Sequence, residues 1–198
     1  PQTYWGDSWR LGLLLVPFGG ALVTLFIGLV GWRIQLIGKR RTELAEEALL
    51  AFSQAVDSIR AIRQRAAWNA EIEEMRKEAN GDPSKELPGE PYLRTLVRIR
   101  REHEKFLPLR KLQLLCRLHF GADAAVAFEA IEDALREIQV AAEMCIETAA
   151  HPAVTDEDTR QRREWRAAIW AGGKDDAITP RLEAAHERLE AALAPHLR

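Results

Sequence analysis

The longest uncharged run in the chain extends from Leu11 to Trp32, and its 20 residues from Leu11 to Val30 include no Asp, Glu, Lys, Arg or His. An α-helix rises about 1.5 Å per residue, so this run would form about 30 Å of helix, which matches the hydrocarbon core of a bilayer. The pattern predicts one transmembrane helix over residues 11–32. A short segment of residues 1–10 precedes it, and a basic juxtamembrane segment of residues 33–42 follows it.

The flanks of this run favour a retained anchor over a cleaved signal peptide. A signal peptide has a shorter apolar region of about 7–15 residues and a basic segment before it. Here the basic residues follow the run, at Arg33, Lys39, Arg40 and Arg41. The positive-inside rule then predicts an outside N-terminus and a cytoplasmic C-terminal domain. Tyr4, Trp5, Trp9 and Trp32 fit the two membrane interfaces, where aromatic residues are enriched.

Three small residues recur every four positions within the predicted span: Gly20, Thr24 and Gly28. This spacing places them on one helix face and would let a second helix approach closely. The partner would be another transmembrane protein or a second copy of this chain. The alternative is that Gly is simply frequent in membrane helices. The span has no ionisable group, which argues against an ion path through this helix alone.

From residue 43 to residue 198 the apolar positions follow helical spacing, and no window alternates with period two. The first soluble helix is predicted from Thr42 to about Ala79, either as a separate helix or as a continuation of the anchor. Its apolar stripe is Ala45, Leu49, Phe52, Val56, Ile59 and Ala66. A polar loop rich in Gly and Pro is expected to follow.

Four further helices are predicted along the rest of the chain. The second covers about 92–120, with Pro108 inside and Gly121 as its stop. Its apolar positions are Leu93, Leu96, Val97, Phe106, Leu107, Leu114, Leu115 and Leu118. The third covers about 122–150, a short one runs from a capping box at Thr155 to Trp170, and the last begins with Thr179 as N-cap. The third and last helices carry clear apolar seams. The seam of the third helix is Phe128, Ile131, Leu135, Ile138, Ala142, Cys145 and Ala149, and that of the last helix is Leu182, Ala185, Leu189, Ala192 and Leu193.

The expected fold is therefore all-α: one N-terminal transmembrane helix, then a cytoplasmic antiparallel four-helix bundle with a short extra helix. The net charge of −2 gives no overall attraction to nucleic acid, which is not expected as a partner. Two Cys in 198 residues imply no disulfide framework.

Consecutive helices carry opposite charge. Residues 93–120 have eight basic and two acidic residues, and residues 121–150 have seven acidic residues and one basic residue. Within the basic helix, four residues share one face at three-four spacing: Arg94, Arg98, Arg101 and Lys105. This face could bind an acidic protein or a lipid surface. The alternative is that it pairs with the acidic third helix.

No metal, cofactor or catalytic site is predicted. A di-iron bundle needs two Glu-x-x-His pairs, and the chain has one, Glu183 to His186. His103 could be a ligand or an ordinary bundle histidine. Cys116 and Cys145 should lie far apart on two antiparallel helices, with Cys145 on the core seam.

Trp165 and Trp170 lie within a basic segment of the short helix. They could cap the core where that helix crosses the bundle. Alternatively they could anchor an interface, because Trp and Arg are frequent in binding hot spots.

Three strings of the sequence resemble a group of uncharacterised bacterial single-pass proteins. They are Phe52 with Val56-Asp57-Ser58-Ile59-Arg60-Ala61-Ile62-Arg63; Leu112 with Phe120-Gly121-Ala122-Asp123-Ala124-Ala125 and Phe128; and Trp165, Ile169-Trp170, Asp176, Ile178 and Arg181. The resemblance implies a bacterial inner (cytoplasmic) membrane and a cytoplasmic helical domain. It transfers no activity and no site residue.

We therefore expect a membrane-anchored, non-enzymatic interaction protein, an accessory or scaffolding subunit of a larger bacterial inner-membrane assembly. One alternative is a single-pass sensory module that signals through the helix leading from the anchor into the bundle. A second is an enzyme that acts on an anionic substrate at the basic helix. The expected partners are membrane lipid and another transmembrane protein or self.

Overall fold

The computed structural model describes residues 8–66, 69–78, 89–151 and 153–197, and all regular structure in these ranges is helical. The helices are α1 (Ser8–Ile62), α2 (Asn69–Glu78), α3 (Glu90–Phe120), α4 (Ala122–Glu147), α5 (Asp156–Ile169) and α6 (Ile178–Leu193), followed by a 3-10 turn at Ala194–His196. The all-α class and the helical bundle predicted from the sequence are confirmed.

The chain divides into two compact units after Glu43. In the first unit, the described backbone is helical from Ser8 onward as part of α1. Within the part of the chain that the structure describes, no helix is long and apolar enough to cross a membrane. The predicted span over residues 11–32 thus has helical backbone but no structural support as a transmembrane segment. Most of its side chains lie outside the described residues.

The second unit is organised around the C-terminal part of α1. There the apolar stripe of α1 is fully buried at Ala45, Phe52 and Ile59. The rings of Phe52 and of Phe128 on α4 are nearly perpendicular, with centroids 5.7 Å apart, and the Phe52 ring stacks on that of His186 on α6 at 5.6 Å. Phe52 of α1 thus contacts both α4 and α6. Aromatic pairs add about 0.5–1.5 kcal/mol to stability beyond the burial of their surface.

α3 and α4 form a helical hairpin joined by one residue, Gly121. Its φ of 98° lies in the region that favours glycine, so the predicted glycine stop is confirmed. The two helices run antiparallel. Arg110 lies 3.8 Å from Glu132, and nearer the turn the Gln113 side chain donates to the Ala125 carbonyl at 3.5 Å.

The predicted seams of the later helices are largely confirmed. α4 ends at Glu147, about three residues before the predicted end. Its buried seam includes five of the predicted residues: Phe128, Ile131, Ile138, Ala142 and Cys145. On α6 the buried residues are Ile178, Leu182, Ala185, Leu189 and Leu193. The capping box of α5 is also present, with reciprocal hydrogen bonds between Thr155 and Asp158.

The prediction that the first soluble helix reaches about Ala79 is wrong. α1 ends at Ile62, α2 is a separate helix, and Ala66 is exposed outside both. The chain leaves helical geometry at Arg63, whose side chain is buried against the α5–α6 connection. Its backbone carbonyl accepts from the Ala171 N–H at 3.2 Å. Arg63 therefore forms hydrogen bonds with residues more than 100 positions later in the sequence, and the helix does not continue beyond it.

The predicted start of the last helix is also wrong, by two residues. α6 begins at Ile178 rather than behind an N-cap at Thr179. The capping acceptor is the Asp176 side chain, whose Oδ1 accepts from the backbone N–H groups of Ile178 and Thr179 at 3.1 and 3.2 Å. These first N–H groups have no partner within the helix, so the carboxylate satisfies them.

The apolar positions of α3 do not form one buried seam. Leu107, Leu114 and Leu118 are 61%, 61% and 77% exposed, whereas the buried residues of the same region are Leu109, Leu112 and Cys116. α3 therefore has a buried face toward the bundle and a second apolar face toward solvent.

Candidate functional site

Among the described residues of the second unit, the most buried charged side chain is that of Arg63, directly after α1. Its Nη2 lies 2.7 Å from Oδ1 of Asp176, and the two side chains are 1% and 7% exposed. Arg63 also donates to Thr179 Oγ1 at 3.0 Å and to three main-chain carbonyls at the end of α5: Ala167, Ala168 and Trp170. The guanidinium thus ties α1 to the α5–α6 connection.

Asp176 is the matching acceptor. Besides Arg63 and the α6 N–H groups, it accepts from the Gly172 N–H at 3.1 Å and from Thr179 Oγ1 at 2.7 Å. Burial raises the pKa of Asp176. The hydrogen bonds from Arg63, Thr179 and the backbone outweigh this effect, so the pKa lies well below its usual value. Both carboxylate oxygens are fully engaged within the chain, so this pair serves structure.

A second ion pair lies where α1 ends. Arg98 of α3 donates to both carboxylate oxygens of Glu71 on α2 and to the main-chain carbonyls of Gln64 and Ala66. The hydrogen bonding of Glu71 with Arg98, aided by the charges of Arg98, Arg101 and Arg94, lowers the pKa of Glu71 despite its burial. Arg98 Nη1 also lies 3.5 Å from the carbonyls of Ala61 and Ile62, so this side chain caps the end of α1 and holds α2 against α3.

The contacts of Arg98 and its neighbours show which partners the predicted basic face of α3 has within the chain. Arg98 pairs with α2 and the α1 terminus rather than with α4. Lys105 donates to Glu102 at 2.6 Å, and Ser58 of α1 donates to the same carboxylate at 2.7 Å. Nε of Arg94 is buried without a hydrogen-bond partner in the described part of the chain. Arg98 and Lys105 are thus bound to carboxylates of their own chain.

The residues proposed as interface anchors, Trp165 and Trp170, are half-buried and pack against the core. The ring of Trp170 stacks on Tyr92, with centroids 5.5 Å apart, and the Arg65 guanidinium lies 4.7 Å from its centre. The Arg166 side chain donates to the Tyr92 hydroxyl at 3.2 Å. The geometry fits a capping role, and it also makes Trp170 one wall of a groove.

The groove next to Trp170 has a volume of about 290 Å³. It lies between the segment after α1, helix α5 and the α5–α6 connection. Its charged lining is Arg65, Arg163, Arg166, Lys174 and Asp175. Sequence reasoning missed this site because its basic residues come from three separate segments. The only local signal was the Arg-rich stretch around Trp165.

The predicted membrane-proximal residues lie partly outside the described side chains. For Trp9, Gly20 and Thr24 the structure describes only the helical backbone. Trp5 lies outside the described residues. Gly28 is exposed, and a Cβ there would meet nothing within 4 Å. Trp32, Arg33 and Arg41 are exposed, and Lys39 and Arg40 lie 3.8 and 3.7 Å from Glu43.

The remaining reactive residue types are dispersed. Among the described residues, no three His, Cys, Asp or Glu side chains come together to hold a metal ion. His103 is exposed, and His186 contacts Ser53 at 3.2 Å. Cys116 and Cys145 are buried free thiols, and burial raises the pKa of each to about 11.

Comparison with known proteins adds no relative. No family model matches the chain, and no curated protein or solved structure matches it either. The resemblance to bacterial single-pass proteins stays a prediction.

Proposed function

We propose that this protein is a membrane-anchored interaction protein, an accessory or scaffolding subunit of a bacterial inner-membrane assembly, with its bundle in the cytoplasm. One observation carries the proposal: the uncharged run Leu11–Val30 and the buried seam Ala45–Ile59 belong to the same helix, α1. An uncharged run of this length is costly to leave in water and favours a bilayer. The anchor would thus bring a folded bundle to the membrane surface.

The exposed leucines of α3 support a protein partner in the cytoplasm. Leu107, Leu114 and Leu118 recur at intervals of seven and four, which places them on one helix face. Arg110 and Arg117, both exposed, lie beside this leucine ridge. A partner surface with an apolar strip and acidic flanks complements both features. Such a strip is the usual form of a helix that packs on another helix.

The internal use of charge supports a binding role rather than a catalytic one. The buried ion pairs Arg63–Asp176 and Arg98–Glu71 join segments of the fold. Both thiols are buried, with pKa values raised to about 11, so little thiolate is available as a nucleophile.

The experiment is membrane fractionation of cells that express the full chain, followed by neutral-detergent extraction and native mass spectrometry. We expect the protein to resist alkaline carbonate extraction and to be recovered with a defined partner protein. Recovery as a monomer without a partner, or release by carbonate, would contradict the proposal.

A matched pair of variants locates the partner. Leu114→Glu places a charge on the leucine ridge and should abolish partner recovery while the protein stays in the membrane fraction. Val154→Glu is the control, because Val154 is 84% exposed in the connection before α5. Equal loss of partner in both variants would exclude the ridge as the contact.

A second function is favoured by the continuity of α1. The backbone stays helical through residues 38–42, with Thr42 Oγ1 donating to the Gly38 carbonyl at 3.2 Å. An uninterrupted helix can carry rotation into the bundle, as a sensory module requires. Two alanines inserted after Gly38 would turn the helix by about 200°, and four by about 40° beyond a full turn. If the helix transmits a signal, partner recovery should change with the two-alanine insertion and return with the four-alanine insertion. Equal recovery from the wild type and both insertions would exclude the signalling function.

A further inference from the structure

The groove beside Trp170 collects positive charge from three parts of the chain. Arg65 follows α1, Arg163 and Arg166 lie one turn apart on α5, and Lys174 lies in the α5–α6 connection. Asp175 is the one acidic side chain in the lining, so the lining has a formal charge of +3. An excess of like charge in one groove is unfavourable unless an anion or solvent compensates it.

The contacts inside the groove leave several donors available. Asp175 Oδ2 accepts from both Nε and Nη2 of Arg163, at 2.8 and 2.6 Å, so this pair is internally balanced. Arg166 uses its Nε for the Tyr92 hydroxyl. Among the described residues, no carboxylate pairs with Arg65, Arg166 or Lys174. Their remaining N–H groups border an open space of about 290 Å³.

The aromatic wall fixes the orientation of one of these groups. The Arg65 guanidinium lies over the Trp170 ring at 4.7 Å, and that ring is held in turn by Tyr92. A guanidinium stacked on an indole keeps its N–H groups around its edge, free to donate in its own plane. An arginine held this way loses less side-chain entropy when it binds an anion than a freely rotating one.

The donor set identifies the chemical class of the ligand. Planar guanidinium groups bind phosphate oxygens in pairs, and a lysine ammonium adds a point charge. Phosphate carries three or more acceptor oxygens and up to two negative charges, which suits three cations from different directions better than a single carboxylate does. The groove is near the lower end of small-ligand pocket volumes, about 300 Å³, enough for a phosphate group and a small substituent.

We propose that this groove binds the phosphate group of a phosphate ester, with Arg65, Arg166 and Lys174 as the direct contacts. Arg163 is not a direct contact, since its Nε and Nη2 are already bound to Asp175. The ester is either a soluble metabolite or the headgroup of an anionic lipid; both present the same oxygens. The site depends on the groove alone and does not require the membrane-anchored function proposed above.

The test is calorimetric titration of the full chain in neutral detergent with inorganic pyrophosphate. We expect saturable binding with a Kd of about 0.1–1 mM. Lys174→Gln and Arg65→Gln should each weaken binding about fivefold or more, since each removes a charge-assisted hydrogen bond. Arg160→Gln removes the same charge from α5 outside the groove, where Arg160 pairs with Glu157, and should change the Kd by less than about twofold.

Two outcomes would overturn the site. One is the absence of saturation by about 10 mM pyrophosphate. The other is equal weakening by Lys174→Gln and Arg160→Gln, which would show a response to net charge alone. Failure here leaves the fractionation result untouched, so the two proposals fail separately.

Competition against bound pyrophosphate then distinguishes the two sources. Glycerol 3-phosphate represents a soluble monoester, and short-chain phosphatidylglycerol represents the lipid headgroup. Displacement by the first supports a soluble ligand, and displacement by the second alone supports a headgroup. If neither displaces pyrophosphate, the assignment to phosphate esters is wrong.

Discussion

Arg63 and Asp176 are 113 positions apart in the sequence, yet Nη2 of the first lies 2.7 Å from Oδ1 of the second in a nearly solvent-free contact. The pair determines where α1 ends, because Arg63 turns toward the α5–α6 connection instead of continuing the helix. It also determines where α6 begins, because the same carboxylate caps that helix. One ion pair therefore sets two helix boundaries.

Loss of the Asp176 charge should destabilise the bundle strongly. Asp176→Asn leaves the buried Arg63 guanidinium without its counterion, which costs about 3–5 kcal/mol in the free energy of unfolding. Urea denaturation followed by circular dichroism measures this change. Asp175→Asn is the adjacent control: its exposed pair with Arg163 contributes at most about 1 kcal/mol. Equal stabilities for the two variants would show that the buried pair is dispensable.

The same carboxylate predicts an acid dependence of stability. Its pKa is lowered in the folded state, so the unfolded chain binds the proton more readily. The stabilisation it provides is complete above about pH 5 and falls as the pH drops through about 4 toward the folded pKa. The stability difference between the wild type and Asp176→Asn should therefore shrink between about pH 5 and 2.5 in urea titrations. A constant difference over that range would contradict the assignment.

The sequence predicted the start of α5 but not the end of α1. The capping box at Thr155 was predictable because both partners lie within one helical turn. The end of α1 was not, because the apolar period continues past Ile62 to Ala66, and the partners that stop it lie more than 100 positions later. A sequence pattern indicates hydrogen bonds between residues that are close along the chain. No such neighbour distinguishes Arg63 from an exposed arginine.

The two thiols should be unreactive in the folded protein. Burial raises the pKa of Cys116 and of Cys145 to about 11, so the thiolate fraction at pH 8 is about one in a thousand. A thiol reagent such as dithionitrobenzoate should modify neither in the native state and both in about 8 M urea. Modification of one cysteine in the native protein at the rate of free glutathione would place that residue outside the core.

Gly121 should resist substitution for a reason of backbone geometry alone. Its φ of 98° and ψ of −177° fall in a region occupied almost only by glycine, and a Cβ there would meet nothing within 4 Å. Gly121→Ala should therefore cost about 1–3 kcal/mol in the free energy of unfolding, entirely through strain. Gly173→Ala is the control, because Gly173 also has open space but no positive φ. Equal effects from the two substitutions would argue against strain at the hairpin turn.

The basic face of α3 shows why its role could not be decided from spacing. Three-four spacing correctly put Arg94, Arg98, Arg101 and Lys105 on one side of a helix. Which neighbour that side meets depended on α2, a helix that the continuous apolar pattern had merged with α1. Because α1 ends at Ile62, the carbonyls of Gln64 and Ala66 in the following segment and the carboxylate of Glu71 become the partners of Arg98.

Arg98 should not be replaceable by lysine, although both carry the same charge. Its guanidinium reaches Glu71 and the carbonyls of Gln64 and Ala66 together, at distances such as 2.7 Å to Ala66 and 2.8 Å to Glu71 Oε2. One ammonium group cannot span these acceptors, so Arg98→Lys should lower the free energy of unfolding by about 1–3 kcal/mol. Urea denaturation measures the loss, and amide exchange should show faster opening of α2.

Arg117→Lys is the matched control for this substitution. Arg117 lies on the same helix and is exposed, and among the described residues it donates to no carboxylate or carbonyl. Its replacement should leave stability within about 0.5 kcal/mol. If Arg98→Lys is equally silent, the guanidinium geometry does not hold α2, and the charge of Arg98 would be available to an outside partner as the sequence first suggested. A selective loss for Arg98→Lys assigns this arginine to the fold and leaves external anions to the groove beside Trp170.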